Sequence, residues 1–123
     1  MSAANTNTRM PAFGSRQAMA LLWDKATREL GTHELRWFAE GARNQVAEDA
    51  QRLEAVLTGV ACLVLGDADE DGARVGSFQE PEDVANLLHA LAGQMGALAG
   101  LAEIADDASR RVLELSEAGE RPL

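Results

Sequence analysis

Two long stretches of this sequence repeat apolar residues every three or four positions, and this repeat constrains the fold more than any other feature. The first covers residues 32–65 and the second residues 81–117, so the two predicted helices are nearly equal in length. At a rise of about 1.5 Å per residue, each is roughly 50–55 Å long. Pro81, followed by two acidic residues, is a typical helix start. Matched helices joined by residues 67–80 predict an antiparallel hairpin.

A shorter helix is predicted ahead of the hairpin, over residues 16–30. Ser15 precedes it and has the side chain of a typical N-cap, while Gly31 follows it and suits the position that ends a helix. Thr32 is then expected to cap the first long helix.

Composition agrees with an all-α chain. The sequence has 123 residues, which is the usual size of one domain; 46% are hydrophobic but only 4% are aromatic, and there is no Tyr. We therefore predict a flexible arm over residues 1–14, a single helical domain over residues 15–118 and a short tail over residues 119–123.

The third helix carries more apolar surface than a hairpin covers. Residues 87–105 are apolar on nearly all sides of the helix, and such a helix needs more than one neighbour. We predict that its core positions are Val84, Leu88, Leu91, Met95, Leu98, Ala102, Ala105, Val112 and Leu115. Self-association into a four-helix (or larger) bundle homodimer would bury the remaining surface. The expected interface residues are Leu91, Met95, Leu98, Leu101 and Trp37.

The charge balance excludes some partners and favours others. There are 20 acidic and 11 basic residues, a net charge of −9, with no basic stripe. Direct nucleic-acid binding and adsorption to an anionic membrane are therefore not expected. No catalytic constellation is present, so we interpret the chain as a non-enzymatic interaction or regulatory module whose partner is another protein. The negative charge favours a basic partner. A second interpretation is an acidic inhibitor that mimics nucleic acid against a nuclease or effector complex.

An acidic loop is the one candidate metal site. Asp67, Asp69 and Asp71 have the spacing at which EF-hand loops place carboxylates around calcium, and Gly72 follows them. The match then ends, because Phe78 stands where the bidentate Glu is required. A calcium-responsive switch and a solvated hairpin turn both account for these residues. No other cofactor is expected.

The single cysteine, Cys62, lies in an apolar run, and we expect it to be buried. One thiol forms no internal disulfide, which suits the cytoplasm. The most apolar run, residues 87–102, contains His89 and Gln94, and we expect it to fall short of a membrane span.

Overall fold

The computed structural model describes residues 9–66 and 80–120. These residues are 91% helical and contain no strand, which confirms the all-α fold class. Helix α1 spans Ser15–Ala26, α2 spans Thr32–Gly66 and α3 spans Pro81–Glu120, and a 3-10 turn over Thr27–Glu29 follows α1. The two longer helices pack against each other.

Helix α1 begins and ends differently from the prediction. Gly14, not Ser15, is the N-cap: its backbone is extended, and its carbonyl accepts a hydrogen bond from the Ala18 N–H at 2.9 Å. The helix was expected to reach Leu30, but it tightens into the 3-10 turn four residues earlier. Leu30 is extended, and its N–H donates to the Thr27 carbonyl at 3.3 Å. This tightening satisfies backbone groups that the end of an α-helix leaves free.

The cap of α2 also lies one residue before the predicted Thr32. The carbonyl of Gly31 accepts the first intrahelical bond from the Leu35 N–H at 2.9 Å. In return, the Gly31 N–H donates to Oε1 of Glu34 at 3.0 Å. This is one half of a capping box, in which the carboxylate at the third helical position supplies the cap.

The predicted start of α3 is confirmed. The Glu80 carbonyl accepts hydrogen bonds from the backbone N–H groups of Asp83 and Val84, at 3.1 and 3.3 Å. Pro81 lacks an N–H and occupies the first helical position, where none is needed.

Helix α1 packs beside only one end of the hairpin. It runs parallel to α3, with Arg16 bonded to Glu103 near its start and Trp23 bonded to Asp107 one turn before its end. The core here consists of Leu35, Ala39 and Ala108, surrounded by Trp23, Leu30, Phe38 and Val112. We call this part, residues 15–49 and 97–120, the three-helix segment.

The other end of the hairpin consists of residues 50–66 and 81–96, and no third helix of the described residues lies beside it. We call it the two-helix segment. Leu91 is its one buried apolar residue, whereas the rest of the buried apolar core lies in the three-helix segment. Several predicted core positions are therefore wrong: Leu88 and Met95 are exposed, and so are Ala102 and Leu115. Leu88, Met95 and Ala102 lie on the side of α3 away from α1, whereas Leu115 lies nearly two turns beyond the buried Ala108, toward the end of α3.

Candidate interaction surface

The five residues predicted to form an interface occupy different environments. Leu91 is only 9% exposed, and Leu98 and Leu101 are half-buried, so these three side chains belong mainly to the chain's own core. Met95 is 55% exposed and Trp37 is 70% exposed. The structure therefore does not bring the five residues together on one surface. Their role in an interface stays a prediction.

Trp37 belongs to a row of aromatic rings at the three-helix segment. Its ring meets Phe38 edge-on, with centroids 5.0 Å apart, and Phe38 meets Trp23 in the same way at 5.1 Å. Trp23 and Phe38 are half-buried, whereas Trp37 faces solvent. Edge-to-face pairs add stability beyond the area they bury, so the pair of Trp23 and Phe38 joins α1 to α2.

The two-helix segment has two uncovered surfaces. The first is a groove on the same side of the hairpin as α1, but closer to the loop end. It has a volume of about 410 Å³, and Leu53, Val56 and Leu91 line it together with Asp49, Arg52, Ala90 and Gln94. A smaller cavity of about 160 Å³ connects this region to Met19 of α1. The front groove, as we call it, thus extends the line of α1 toward the loop end of the hairpin.

The second uncovered surface lies on the opposite side of the hairpin. A shallow depression there is lined by Arg43, Val46, Ala102, Ala105 and Asp106. At about 100° per residue, Ala102 lies roughly 200° around α3 from the positions that face α1. We call this surface the back face and define it by Val46, Ala50, Leu57, Leu88, Met95 and Ala102.

Periodicity places the other residues of the back face. Leu88 and Met95 precede Ala102 by fourteen and seven residues, which is close to whole turns of the helix. On α2, Ala50 and Leu57 follow Val46 by roughly one and three turns. Leu88 and Met95 are 60% and 55% exposed, and Leu57 is 41% exposed. The back face is therefore an exposed apolar strip that both long helices share.

A charged cluster fixes α1 to α3. Asp107 Oδ2 accepts hydrogen bonds from Trp23 Nε1 at 2.7 Å and from Arg111 Nε at 2.9 Å, and Arg110 also bonds this carboxylate. Burial raises the pKa of Asp107, but the hydrogen bonds from Arg111, Trp23 and Arg110 outweigh it and lower the pKa to about 2. This carboxylate therefore stays ionised at neutral pH and accepts the hydrogen bond that ties Trp23 of α1 to α3.

A cleft of about 190 Å³ lies beside this cluster, between α1 and α3. Thr27 lines it and is buried, and the Thr27 hydroxyl has no hydrogen-bond partner among the described residues. A buried hydroxyl without a partner destabilises a fold by about 1–3 kcal/mol. The cleft is therefore a weak point in the contact between α1 and α3.

The predicted calcium ligands Asp67, Asp69 and Asp71 lie outside the described residues. Within residues 9–66 and 80–120, no three His, Cys, Asp or Glu side chains are close enough together to hold a metal ion. Calorimetric titration with calcium remains the direct test of the loop.

Cys62 is exposed, so the prediction of a buried thiol is wrong. The apolar run around it suggested burial, but α2 is covered on few sides in the two-helix segment. Cys62 lies about 180° around α2 from Leu53 and Val60, which are half-buried on the side of α3.

The apolar run over residues 87–102 was expected to fall short of a membrane span, but it lies within the longer helix α3. By length and composition it passes the test for a membrane-spanning helix, with a mean hydropathy of 1.3 over its best 18-residue window. Only 6% of that window is buried within the chain. Buried core helices of water-soluble proteins pass the same test, so one such helix is weak evidence for a membrane span.

Comparison with known proteins adds no relative: no protein-family model matches the chain, and no curated protein or solved structure is similar to it. The fold and its surfaces define an all-α helical hairpin that a third helix covers at one end only.

Proposed function

We propose that this protein is a non-enzymatic interaction module that works as a homodimeric helical bundle. The observation that carries the proposal is the two-helix segment, where Leu57, Leu88 and Met95 each expose more than two fifths of their surface. Contiguous exposed apolar surface of this kind marks interaction sites. A second hairpin laid on the first would supply the neighbours that an apolar helix requires.

The absence of an enzymatic role is part of this proposal. Among the described residues, clearly displaced pKa values fall in the cluster around Asp107, where Trp23 joins α1 to α3 and Arg110 and Arg111 bond the carboxylate from α3 itself. Such a cluster supports an architectural role.

We further propose that the dimer presents its acidic surface to another protein. A net charge of −9 speeds the approach of a basic partner. Added salt screens this attraction and weakens it. A cytoplasmic location belongs to the same proposal, since an exposed single thiol stays reduced there.

Size-exclusion chromatography with light scattering tests the self-association, over a range from low to high micromolar protein. We expect the mass of two chains at the upper end and a decline toward one chain on dilution. A single chain at every concentration would overturn the proposal.

Co-purification at low and high salt, with nuclease added to remove nucleic acid, tests the partner. We expect a basic protein that is retained at low salt and released at high salt. A partner that is acidic, or retained equally at both salts, would contradict an acidic docking surface.

A further inference from the structure

The back face and the front groove offer a second chain different surfaces. The front groove is concave, and its lining includes the paired charges of Asp49 and Arg52. Burying such charges against another chain is costly. The start of α1 lies on this side too, since Met19 lines the cavity that adjoins the front groove.

The back face has fewer obstacles. No described helix lies on it, and charges reach it at one end only, where Arg43 and Asp106 line its depression. Its large side chains Leu57, Leu88 and Met95 stand beside the small Ala50 and Ala102. A surface that combines large and small side chains lets two copies interdigitate.

We infer that a second copy of this chain packs on the back face, with the two hairpins antiparallel, so that α2 and α3 of both copies form a four-helix bundle. This inference rests on the self-association proposed above. It specifies which surface the two chains share and how the chains are oriented. Each α1 then lies on the outside of the bundle, on the front side of its own hairpin.

The local charge permits this contact even though the chain as a whole is strongly acidic. Residues 84–102 of α3 contain no Asp, Glu, Lys or Arg, and residues 50–66 of α2 contain Arg52 and Glu54 alone. Two copies therefore meet through a nearly neutral part of each chain. A partner chosen mainly by charge would find little to recognise here, whereas a second copy finds matching apolar side chains.

The size of the patch is close to what a dimer needs. From Leu88 to Ala102 the back face is roughly 21 Å long, and two packed helices present a width of about 20 Å. The projected footprint is then about 400 Å², and side-chain relief makes the accessible surface larger than this flat area. Specific interfaces bury about 600 Å² or more of accessible surface per partner, so the patch lies at the lower limit for a stable dimer.

The orientation follows from the acidic start of α3. Glu80, Glu82 and Asp83 lie together at the loop end of the hairpin. A parallel pair would bring the carboxylates of both copies close to each other. An antiparallel pair centred on Met95 separates the two groups by roughly 36 Å, which is several times the Debye length of about 8 Å at physiological salt.

Neighbouring residues on α2 provide the test of the surface. Leu57 belongs to the back face and Val56 to the front groove, and their exposed fractions are similar, at 41% and 49%. We expect Leu57→Glu and Met95→Glu to raise the dimer dissociation constant at least about 30-fold in sedimentation equilibrium. The matched control Val56→Glu should leave the constant within about threefold.

The possible outcomes separate this inference from the proposed function. A wild-type chain that stays monomeric would overturn both the proposed homodimer and the back-face inference. A dimer that Leu57→Glu and Met95→Glu leave intact, or that Val56→Glu disrupts equally, overturns the back face alone. Circular dichroism should show unchanged helix content in all three variants, since Glu favours helices and all three sites are exposed.

A spin-label distance tests the orientation. Ala118 is exposed near the end of α3, about 35 Å along the helix from Met95. Ala118→Cys is introduced together with Cys62→Ser and labelled with a nitroxide. Pulsed electron resonance should give a distance of about 70 Å between the labels of an antiparallel dimer. A distance under about 30 Å would show a parallel dimer and overturn the orientation.

Discussion

The two segments of this hairpin share the same pair of helices but differ in what covers them. In the three-helix segment, α1 adds a third neighbour, and Leu35 and Ala108 are almost completely buried, at 2% and 0% exposure. In the two-helix segment Leu88 and Met95 face solvent. The comparison shows that an apolar helix does not define a core by itself, because burial depends on how many neighbours reach each of its sides.

The largest expected effect contrasts a leucine from each segment. Leu35→Ala should lower the free energy of unfolding by about 2–5 kcal/mol, because it leaves a cavity in the core of the three-helix segment. Leu88→Ala should cost less than about 1 kcal/mol when measured at a protein concentration where the chain is monomeric. Urea titration followed by circular dichroism measures both. Equal losses would mean that the two segments are equally well packed.

Two glycines of α3 sharpen the contrast. A Cβ at Gly100 would lie 3.3 Å from Met19 Sδ and 3.4 Å from Arg16 Cα, whereas a Cβ at Gly93 would meet nothing within 4 Å. We therefore expect Gly100→Gln to destabilise the fold by about 1–3 kcal/mol, since α1 must move away. Gly93→Gln should stabilise it by up to about 1 kcal/mol through helix propensity. Thermal unfolding of both variants provides the measurement, and matching shifts would contradict the close packing of α1.

The pH dependence of stability should come partly from Asp107. Its native pKa of about 2 lies below the ordinary value of 3.8, so its contribution is fully present above about pH 5 and is lost as the pH falls toward 2. The contribution is about 2 kcal/mol at neutral pH. Asp107→Asn should remove this part of the acid-induced loss in urea titrations. Asp106→Asn, at the neighbouring exposed residue, is the control and should change stability at neutral pH by about 0.5 kcal/mol or less.

The smallest expected effect concerns the buried hydroxyl of Thr27. Thr27→Val keeps the shape of the side chain and removes a buried hydroxyl that has no partner among the described residues. We expect a gain of about 1 kcal/mol in the free energy of unfolding. Thr27→Ser keeps the hydroxyl and should show no gain. A loss on Thr27→Val would indicate that the hydroxyl is bonded in solution.

Much of the secondary structure could be predicted because helix signals are local. Pro81 with its following acids gave the start of α3, and the three- and four-residue spacing gave the length of α2. The caps at Gly14 and Gly31 were each missed by one residue. At α2 the sequence offered a polar candidate in Thr32, whereas the structure uses the carboxylate of Glu34.

The choice of buried face could not be predicted in the same way. Along α3, the row Leu88, Met95 and Ala102 is as apolar as the row Leu91, Leu98 and Ala105, so periodicity alone does not separate them. The face is decided by contacts between distant residues. The Trp23 to Asp107 hydrogen bond, for example, joins residues 84 positions apart. For the same reason, the sequence predicted only part of the back face. Met95 was among the predicted interface residues, whereas Leu57 and Leu88 were not.

The way in which α1 is attached has a consequence for motion. No residue of α1 is buried, and its contacts with α3 include side-chain hydrogen bonds at Arg16 and Trp23 and the close approach at Gly100. Elements with few buried contacts open at lower free energy than the rest of a fold. The amide hydrogens of α1 should therefore exchange with solvent sooner than those of α2 and α3. During such openings the whole hairpin briefly has the bare two-helix form of its loop end.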